Sequence, residues 1–270
     1  MHVLVGAVSR HGPDRNPLLK RLVESLTKVD PGMPCVLQFE IGEEYTKAEK
    51  RQRLFVSARS RNAPFCCVLE DDTEILQAGW LKALVNTALH VDGSGIVNPL
   101  ESKNGVSILN PQAKGRIIEA PNLFGFCMLY NLAWEPRCDP RITFLDDLAM
   151  CLQCRAAGYR LVLCGATTVL HSKEPFLRDD KPPWEQKDRD RWGQGNAYYD
   201  EKVFTAQRIR EAAILLEDYG DMAEMVMPPE LLSPAKELVA RRERPPTVVN
   251  IPPGSWAMPA EMAAPAPGAS

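Results

Sequence analysis

An apolar segment that runs directly into three carboxylates is the feature of this sequence that most restricts its fold. Residues Phe65 to Leu69 read Phe-Cys-Cys-Val-Leu, and Glu70, Asp71 and Asp72 follow without a break. A short apolar run of this kind is typical of a strand buried in an α/β sheet, where ligands collect at the carboxyl ends of strands. Neighbouring carboxylates repel one another unless a metal ion or a basic group offsets their charge. The pattern therefore predicts a strand that ends in a site for something cationic.

Strands and helices alternate along the first half of the chain, which predicts a mostly parallel central sheet with helices on both faces. The strands are expected at 3–8, 35–41 and 65–69, and the helices at 17–26, 47–58 and 79–89. Short β-prone pieces follow at 95–97, 106–109 and 116–118, then a strand at 124–130, a helix at 146–158 and strands at 161–163 and 167–170. The last of these ends on His171, so polar residues again follow a strand.

The pattern changes beyond His171. Residues 172–196 mix charges, prolines and aromatic residues without periodicity, which indicates an irregular loop able to fold over a site. A helix is expected at 197–219 and a shorter one after Pro234, and the Pro- and Ala-rich end should be flexible. The expected domains are 1–196, including a lid-like loop at 172–196, a helical extension at 197–244 and a flexible tail at 245–270.

Charge and composition argue against several classes of protein. The formal net charge of -3 gives no general reason to bind nucleic acid or anionic membranes. No apolar run approaches the roughly 20 residues of a membrane span, and the N-terminus enters a strand without a secretory signal. We therefore expect a cytoplasmic protein with no integral membrane segment. The cysteines lie mostly in apolar segments, which predicts reduced core residues.

Four sequence blocks together resemble family-2-type glycosyltransferases, which have the GT-A (Rossmann-like) fold. The blocks are 68–75 with 79–81, 138–148, 155–161 and 168–171. An Asp-Asp pair that leads a helix, then Ala-Gly-Tyr-Arg, then a strand ending in His is the more specific part. The resemblance implies a metal-dependent, inverting glycosyltransferase that moves a sugar from a nucleotide-diphosphate donor to an acceptor hydroxyl.

The same resemblance implies a role for the acidic motif. In the family its last carboxylate binds a metal ion and its first faces the ribose or the metal, and these positions are Asp72 and Glu70 here, with Asp71 in support. His171 is similar to a histidine that some members add as a metal ligand. Such ligands suit Mn²⁺ or Mg²⁺, and the cation would stabilise the developing charge of a diphosphate leaving group. The family usually has Asp where this chain has Glu70.

The resemblance also implies catalytic and donor-binding residues. Inverting transfer needs a carboxylate that takes the proton of the acceptor hydroxyl, and the family position of this base is Asp147, with Asp146 as its supporting neighbour. Glu40 occupies the position that often holds the nucleotide base, and Gly125 that of a small residue beside the sugar. Arg51 lies on a basic helix whose simplest role is a solvated face, and we assign it to a donor phosphate.

These residues have simpler interpretations as well. The two acidic clusters could cap the helices that follow them, His171 could be an ordinary strand-end histidine, and Gly125 could mark a strand bulge. A sugar nucleotidyltransferase on a related α/β fold is disfavoured because the loop at 9–16 has a single glycine. A non-catalytic binding module is disfavoured because Asp72, Asp147 and His171 are all present. The acceptor, whether a saccharide, a lipid-linked carrier, a protein or a modified nucleic acid, stays open.

Overall fold

The computed structural model describes residues 1–103, 106–107, 113–171 and 201–243. Its strands are β1 (Val3–Ser9), β2 (Cys35–Ile41), β3 (Phe65–Glu70), β4 (Thr73–Ile75), β5 (Ser94–Lys103), β6 (Val106–Ser107), β7 (Ile117–Glu119), β8 (Cys127–Asn131) and β9 (Arg160–His171). Its helices are α1 (Pro17–Lys28), α2 (Lys47–Ser60), α3 (Trp80–His90), α4 (Asp146–Ala156), α5 (Glu201–Tyr219), α6 (Asp221–Val226) and α7 (Pro229–Glu243). The expected lid at 172–196 and the tail at 245–270 lie outside the described residues.

The strands form one mixed sheet in the order β2-β1-β3-β8-β5-β9-β4, with β6 paired to β5 and β7 paired to β9. Strands β1, β2, β3, β5 and β9 all run in the same direction, whereas β8 and β4 run in the opposite one. The α/β class with a mostly parallel central sheet flanked by helices, expected from the sequence, is confirmed.

The continuous apolar character of β1 follows from helices that cover both faces of the sheet. Successive side chains of a strand point to opposite faces. Val3 and Val5 pack on the face covered by α1 and α3, whereas Leu4 and Val8 pack on the face covered by α2 and α4. A strand buried on both faces has no position left for a polar residue until it ends at Ser9.

Several sequence-based boundaries were wrong, among them that of β5, which covers Ser94–Lys103 and not only 95–97. Strand β9 is continuous rather than two pieces, because its register with β5 shifts between Cys164 and Thr168 and lets the strand resume its pairing. Gly165 lies in this irregular part, where an added Cβ would come within 1.7 Å of a backbone oxygen. Helix α7 begins at Pro229, which suits a first helical turn that needs no N–H, and Pro234 lies inside it.

Helix α5 packs against α4, and α6 and α7 pack against α5, so that these helices form a third apolar cluster. The cluster joins Leu148 and Leu152 of α4 to Ala212, Leu215 and other buried residues of the C-terminal helices. The C-terminal helices are therefore held to the main sheet layer through α4.

In the part of the chain that is described, none of the helices combines the length and apolar character needed to cross a bilayer.

Candidate functional site

Strand pairing brings the acidic motif next to the end of β9. Strand β3 ends at Glu70, and the chain turns at once into β4, which pairs antiparallel with β9 so that Thr73 lies opposite His171. The Thr73 hydroxyl donates a hydrogen bond to the Phe126 carbonyl at 2.7 Å, and Glu70 N–H donates to the same oxygen at 3.0 Å. These bonds fix the turn that carries the carboxylates.

Glu70, Asp72 and His171 form a group able to hold a metal ion. One ligand atom from each of these residues lies within 4.8 Å of the other two. His171 Nε2 is 3.2 Å from Asp72 Oδ2. The other oxygen, Asp72 Oδ1, is buried and has no hydrogen-bond partner among the described residues, which is costly unless a cation satisfies it. Two carboxylates and one imidazole are a donor set that suits Mn²⁺ or Mg²⁺, so the residues fit the ion.

His171 is held by carboxylates on both of its ring nitrogens. Its Nδ1 lies 2.8 Å from Glu101 Oε1 on β5, and its ring stacks on Phe126 with a centroid distance of 5.1 Å. Burial alone would lower the pKa of His171, but the hydrogen bonds to Asp72 and Glu101 outweigh burial and raise the pKa to about 9. Glu101 therefore orients the ring with Nε2 directed toward Asp72.

The middle carboxylate of the motif, Asp71, faces away from this group. Its Oδ2 accepts hydrogen bonds from the Ser9 hydroxyl at 2.6 Å and the Asn16 side-chain amide at 2.8 Å. Asn16 also caps the N-terminus of α1. Burial raises the pKa of Asp71 to about 6, although the Ser9 hydrogen bond opposes the rise. Asp71 thus joins β3 to the loop after β1.

The acidic pair begins α4, and its first member lies in a buried charge cluster. Asp146 Oδ2 is 2.9 Å from Arg51 Nη1, and Asp146 Oδ1 is 3.2 Å from Lys47 Nζ. Lys47 also forms an ion pair with Glu70. Burial would raise the pKa of Asp146, but the charges of Arg51 and Lys47 lower it below its usual range. Asp146 is thereby kept as an anion.

The expected solvated face around Arg51 was wrong. Its side chain is only 1% exposed because the guanidinium is drawn in toward Asp146. Burial would lower its pKa, and the charge of Asp146 raises it instead. In this structure the buried Arg51 guanidinium faces a carboxylate of the acidic pair.

Asp147, the second member of the pair, is held by backbone groups. Its Oδ2 accepts the Gly125 N–H at 3.2 Å and its Oδ1 accepts the Leu148 N–H at 2.8 Å. Burial and the neighbouring charge of Asp146 raise the pKa of Asp147 to about 6. Each carboxylate oxygen has two acceptor positions, and each oxygen of Asp147 uses one of them in these bonds. One position on each oxygen is left for a proton.

Gly125 lies between the two acidic clusters. A Cβ added there would come within 2.8 Å of Glu70 Oε1 and 3.4 Å of Asp147 Cβ. The residue therefore lets the metal-ligand group and the acidic pair approach each other, with Lys47 as a second link between them. The close approach of the two acidic clusters explains the glycine at position 125 more specifically than a strand bulge does.

Glu40 lies at the same edge of the sheet, two strands from the acidic motif. Glu40 and Glu70 flank Val8 of β1 on either side in the sheet register. The Glu40 carboxylate accepts hydrogen bonds from Arg53 Nε and the Gln38 amide, each at 2.7 Å. These hydrogen bonds join Glu40 to its own strand and to α2.

Two residues of the site, Lys47 and Glu101, were missed in the sequence. Lys47 is the first residue of α2 and lies inside the capping box formed by Thr46 and Glu49, a signal that fixes the helix start but not the partner of the lysine. Glu101 contacts His171, which is 70 positions away in the sequence, and no local pattern marks such a contact.

Comparison with known proteins defines the fold. No protein-family model matches the sequence, and no curated protein matches it. Among solved structures the chain is similar to TarS 1-349 of S. aureus, with a TM-score of 0.50 and 9% identity over 90% of this chain and 92% of that chain. The shared architecture is the GT-A glycosyltransferase fold, which confirms the expectation from the sequence.

Two further solved structures are similar at lower TM-scores. GalNAc-T7, solved with UDP, GalNAc and Mn²⁺, has a TM-score of 0.49 and 15% identity over 88% of this chain and 54% of that chain. The chain thus spans about half of the GalNAc-T7 structure. A197 from STIV has a TM-score of 0.44 and 13% identity over 64% of this chain and 87% of that chain.

Proposed function

We propose that this protein is a metal-dependent, inverting glycosyltransferase that uses a nucleotide-diphosphate sugar as donor. The observation that carries the proposal is the convergence of two acidic clusters on Gly125. One cluster has ligands for a divalent cation, and the other has a carboxylate whose pKa is close to neutral. A GT-A fold with both features side by side supports sugar transfer better than either feature alone.

Asp72, His171 and Glu70 would hold the cation. When bound, it supplies charge stabilisation for the diphosphate that leaves the sugar. Glu101 fixes the His171 ring, and Lys47 neutralises Glu70 on the side facing the acidic pair. Glu70 and Gly125 are the proposed donor contacts beside this group, with Glu40 proposed for the nucleotide base and Asp71 as a support of the loop after β1.

Asp147 would act as the catalytic base. The acceptor oxygen forms a bond to the anomeric carbon while the bond from that carbon to the diphosphate breaks, and the hydroxyl proton passes to Asp147. The products are the glycosylated acceptor and a nucleoside diphosphate. Asp146 does not take the proton, because Arg51 and Lys47 keep its pKa low. Its charge instead raises the proton affinity of Asp147.

Thermal unfolding with a panel of nucleotides tests the donor class. Ligands that bind only the native state raise the melting temperature. We expect one nucleoside diphosphate to stabilise the protein in the presence of Mn²⁺ and much less in its absence. Asp72→Asn should abolish this dependence on the cation, whereas Asp147→Asn should keep it and lose turnover.

The same panel separates the two other classes of function. A sugar nucleotidyltransferase would respond most strongly to a nucleoside triphosphate, and a non-catalytic binding module would show no release of nucleoside diphosphate with any sugar donor. Stabilisation by triphosphates alone, or by no nucleotide, would reject the proposed glycosyltransferase. Acceptors can then be compared by the rate of nucleoside diphosphate release.

A further inference from the structure

Helix α4 begins at the acidic pair, and the segment before it provides no capping side chain. Leu145 occupies the N-cap position and forms no side-chain cap hydrogen bond. The first N–H groups of a helix have no partner inside the helix and need one from elsewhere. Leu145 is buried, so bulk water is a poor source. The N–H of Leu145, the first of these groups, therefore needs an acceptor from another element.

Glu211 on α5 supplies it. Its Oε1 accepts the N–H of Thr143 at 3.0 Å, and its Oε2 accepts those of Phe144 at 2.8 Å and Leu145 at 2.9 Å. Gln207, one turn earlier on α5, donates its side-chain amide to Oε1 at 3.1 Å. Three successive N–H groups directed at one carboxylate form an anion-binding nest. The nest is occupied by a side chain 0% exposed to solvent.

Packing of the helices does not by itself require a carboxylate here. Leu148 and Leu152 of α4 already pack against Ala212 and Leu215 of α5 in the third apolar cluster. A buried carboxylate costs free energy unless hydrogen bonds compensate for lost water. The four donors around Glu211 provide this compensation, and the positive end of the α4 dipole adds to it. The carboxylate therefore fixes a stretch of backbone beyond what apolar contact achieves.

We propose that Glu211 is a positioning residue for the candidate base. It holds the backbone of residues 143–145, which sets where α4 begins and so where Asp147 meets the Gly125 N–H. Asp146 and Asp147 directly follow the clamped residues, so a change in this backbone moves both carboxylates. The catalytic half of the inference rests on the proposed function, whereas the geometric half does not. The C-terminal helices thereby become part of the site.

The Gly125 amide reports the position of Asp147 without turnover. We would record amide resonances and hydrogen exchange of the full chain as wild type and as Glu211→Gln, which replaces one acceptor oxygen by an NH₂ group facing the donors. We expect the amides of 143–145 to change and the Gly125 amide to shift and to exchange about tenfold faster. The matched control is Asp218→Asn, which removes the exposed ion pair of α5 with Arg141. It should leave Gly125 unchanged.

Kinetics provide the second measurement. Glu211→Gln should lower kcat by roughly 10- to 100-fold with little change in the KM of the donor, because a displaced base acts on the chemical step. A change in KM alone would count against positioning. If the wild type transfers no sugar, the proposed function fails, and the Gly125 amide still decides the geometric inference.

An unchanged Gly125 amide beside altered amides at 143–145 would overturn the proposal, because Glu211 would then only stabilise the start of the helix. If Glu211→Gln does not fold, Glu211→Asp takes its place, since it keeps the charge and withdraws the carboxylate by one methylene. It should perturb Gly125 in the same direction by a smaller amount. No effect on Gly125 in that variant would also reject the inference.

Discussion

Two adjacent carboxylates have pKa values displaced in opposite directions, and their partners explain why. For Asp146, Arg51 and Lys47 overcome burial and lower the pKa. For Asp147, burial and the charge of Asp146 raise the pKa to about 6. Two carboxyl groups whose pKa values differ in this way suit different roles, Asp146 as a fixed anion and Asp147 as a proton acceptor.

The rate of transfer should therefore depend on the protonation of Asp147. A base acts only when deprotonated, so kcat/KM is expected to be level above pH 6 and to fall about tenfold for each pH unit below it. Asp147→Asn should be slower by roughly 10²- to 10⁴-fold and should lack this acid limb. A wild-type profile that stays flat through the acid range would exclude Asp147 as the base.

Gly125 offers a second test at the level of a single residue. In Gly125→Ala the new methyl would come within 2.8 Å of Glu70 Oε1, so we expect the two acidic clusters to separate and both cation-dependent stabilisation and kcat to fall. Gly12→Ala is the matched control because nothing lies within 4 Å of its added Cβ. Equal behaviour of the two variants in thermal unfolding with Mn²⁺ would contradict the expectation.

The sequence pointed to candidate residues of the site but not to all of their surroundings. The blocks that contain Asp72, Asp147 and His171 stood out because their order and spacing resemble those of family-2-type glycosyltransferases. The burial of Arg51 was not, because it depends on Asp146, which is distant in sequence and adjacent only after folding. Local patterns carry no information about such a partner.

At the level of elements, the site depends on three strands that arrive from different parts of the chain. Strand β4 places the acidic motif beside β9, and β5 pairs with β9 so that Glu101 lies next to Val169 in the register. The short β4 and the continuous β9 were not expected from the sequence, since three residues of strand carry too little periodicity and Gly165 interrupts the apolar pattern. Strands β1 and β3 were predictable because their composition is almost uniformly apolar.

Glu101 on β5 should control the affinity for the cation. It accepts a hydrogen bond from the His171 ring and is buried, so Glu101→Gln should weaken binding of Mn²⁺ by about 10- to 100-fold. The measurement is the Mn²⁺ concentration that gives half of the maximal rise in melting temperature. Glu119→Gln, which changes an exposed carboxylate paired with Arg160, should bind as the wild type does. Similar weakening in both variants would point to net charge as the cause.

At the level of the whole molecule, α4 joins two apolar clusters. Its Met150 and Cys151 pack under the sheet, whereas Leu148 and Leu152 pack against α5 and the helices that follow. Because α4 contributes to both clusters, neither the main sheet nor the C-terminal helices have a complete apolar core without it. The main sheet and the C-terminal helices should therefore unfold together.

Leu152→Ala tests this coupling. Leu152 is fully buried, and truncation should lower the free energy of unfolding by about 2–5 kcal/mol. Tryptophan fluorescence, to which Trp80 and Trp134 in the two clusters of the main sheet contribute, and far-UV circular dichroism should still give coincident urea transitions. Two separate transitions, with fluorescence unaffected by the substitution, would show that the C-terminal helices form an independent unit.

The nest around Glu211 restricts how this protein can be engineered. A chimaera that exchanges the C-terminal helices for those of a relative would bring a foreign acceptor to the N–H groups of 143–145, or none at all. Grafts that aim to alter acceptor choice should therefore transfer residues 143–145 together with the helix that carries Glu211.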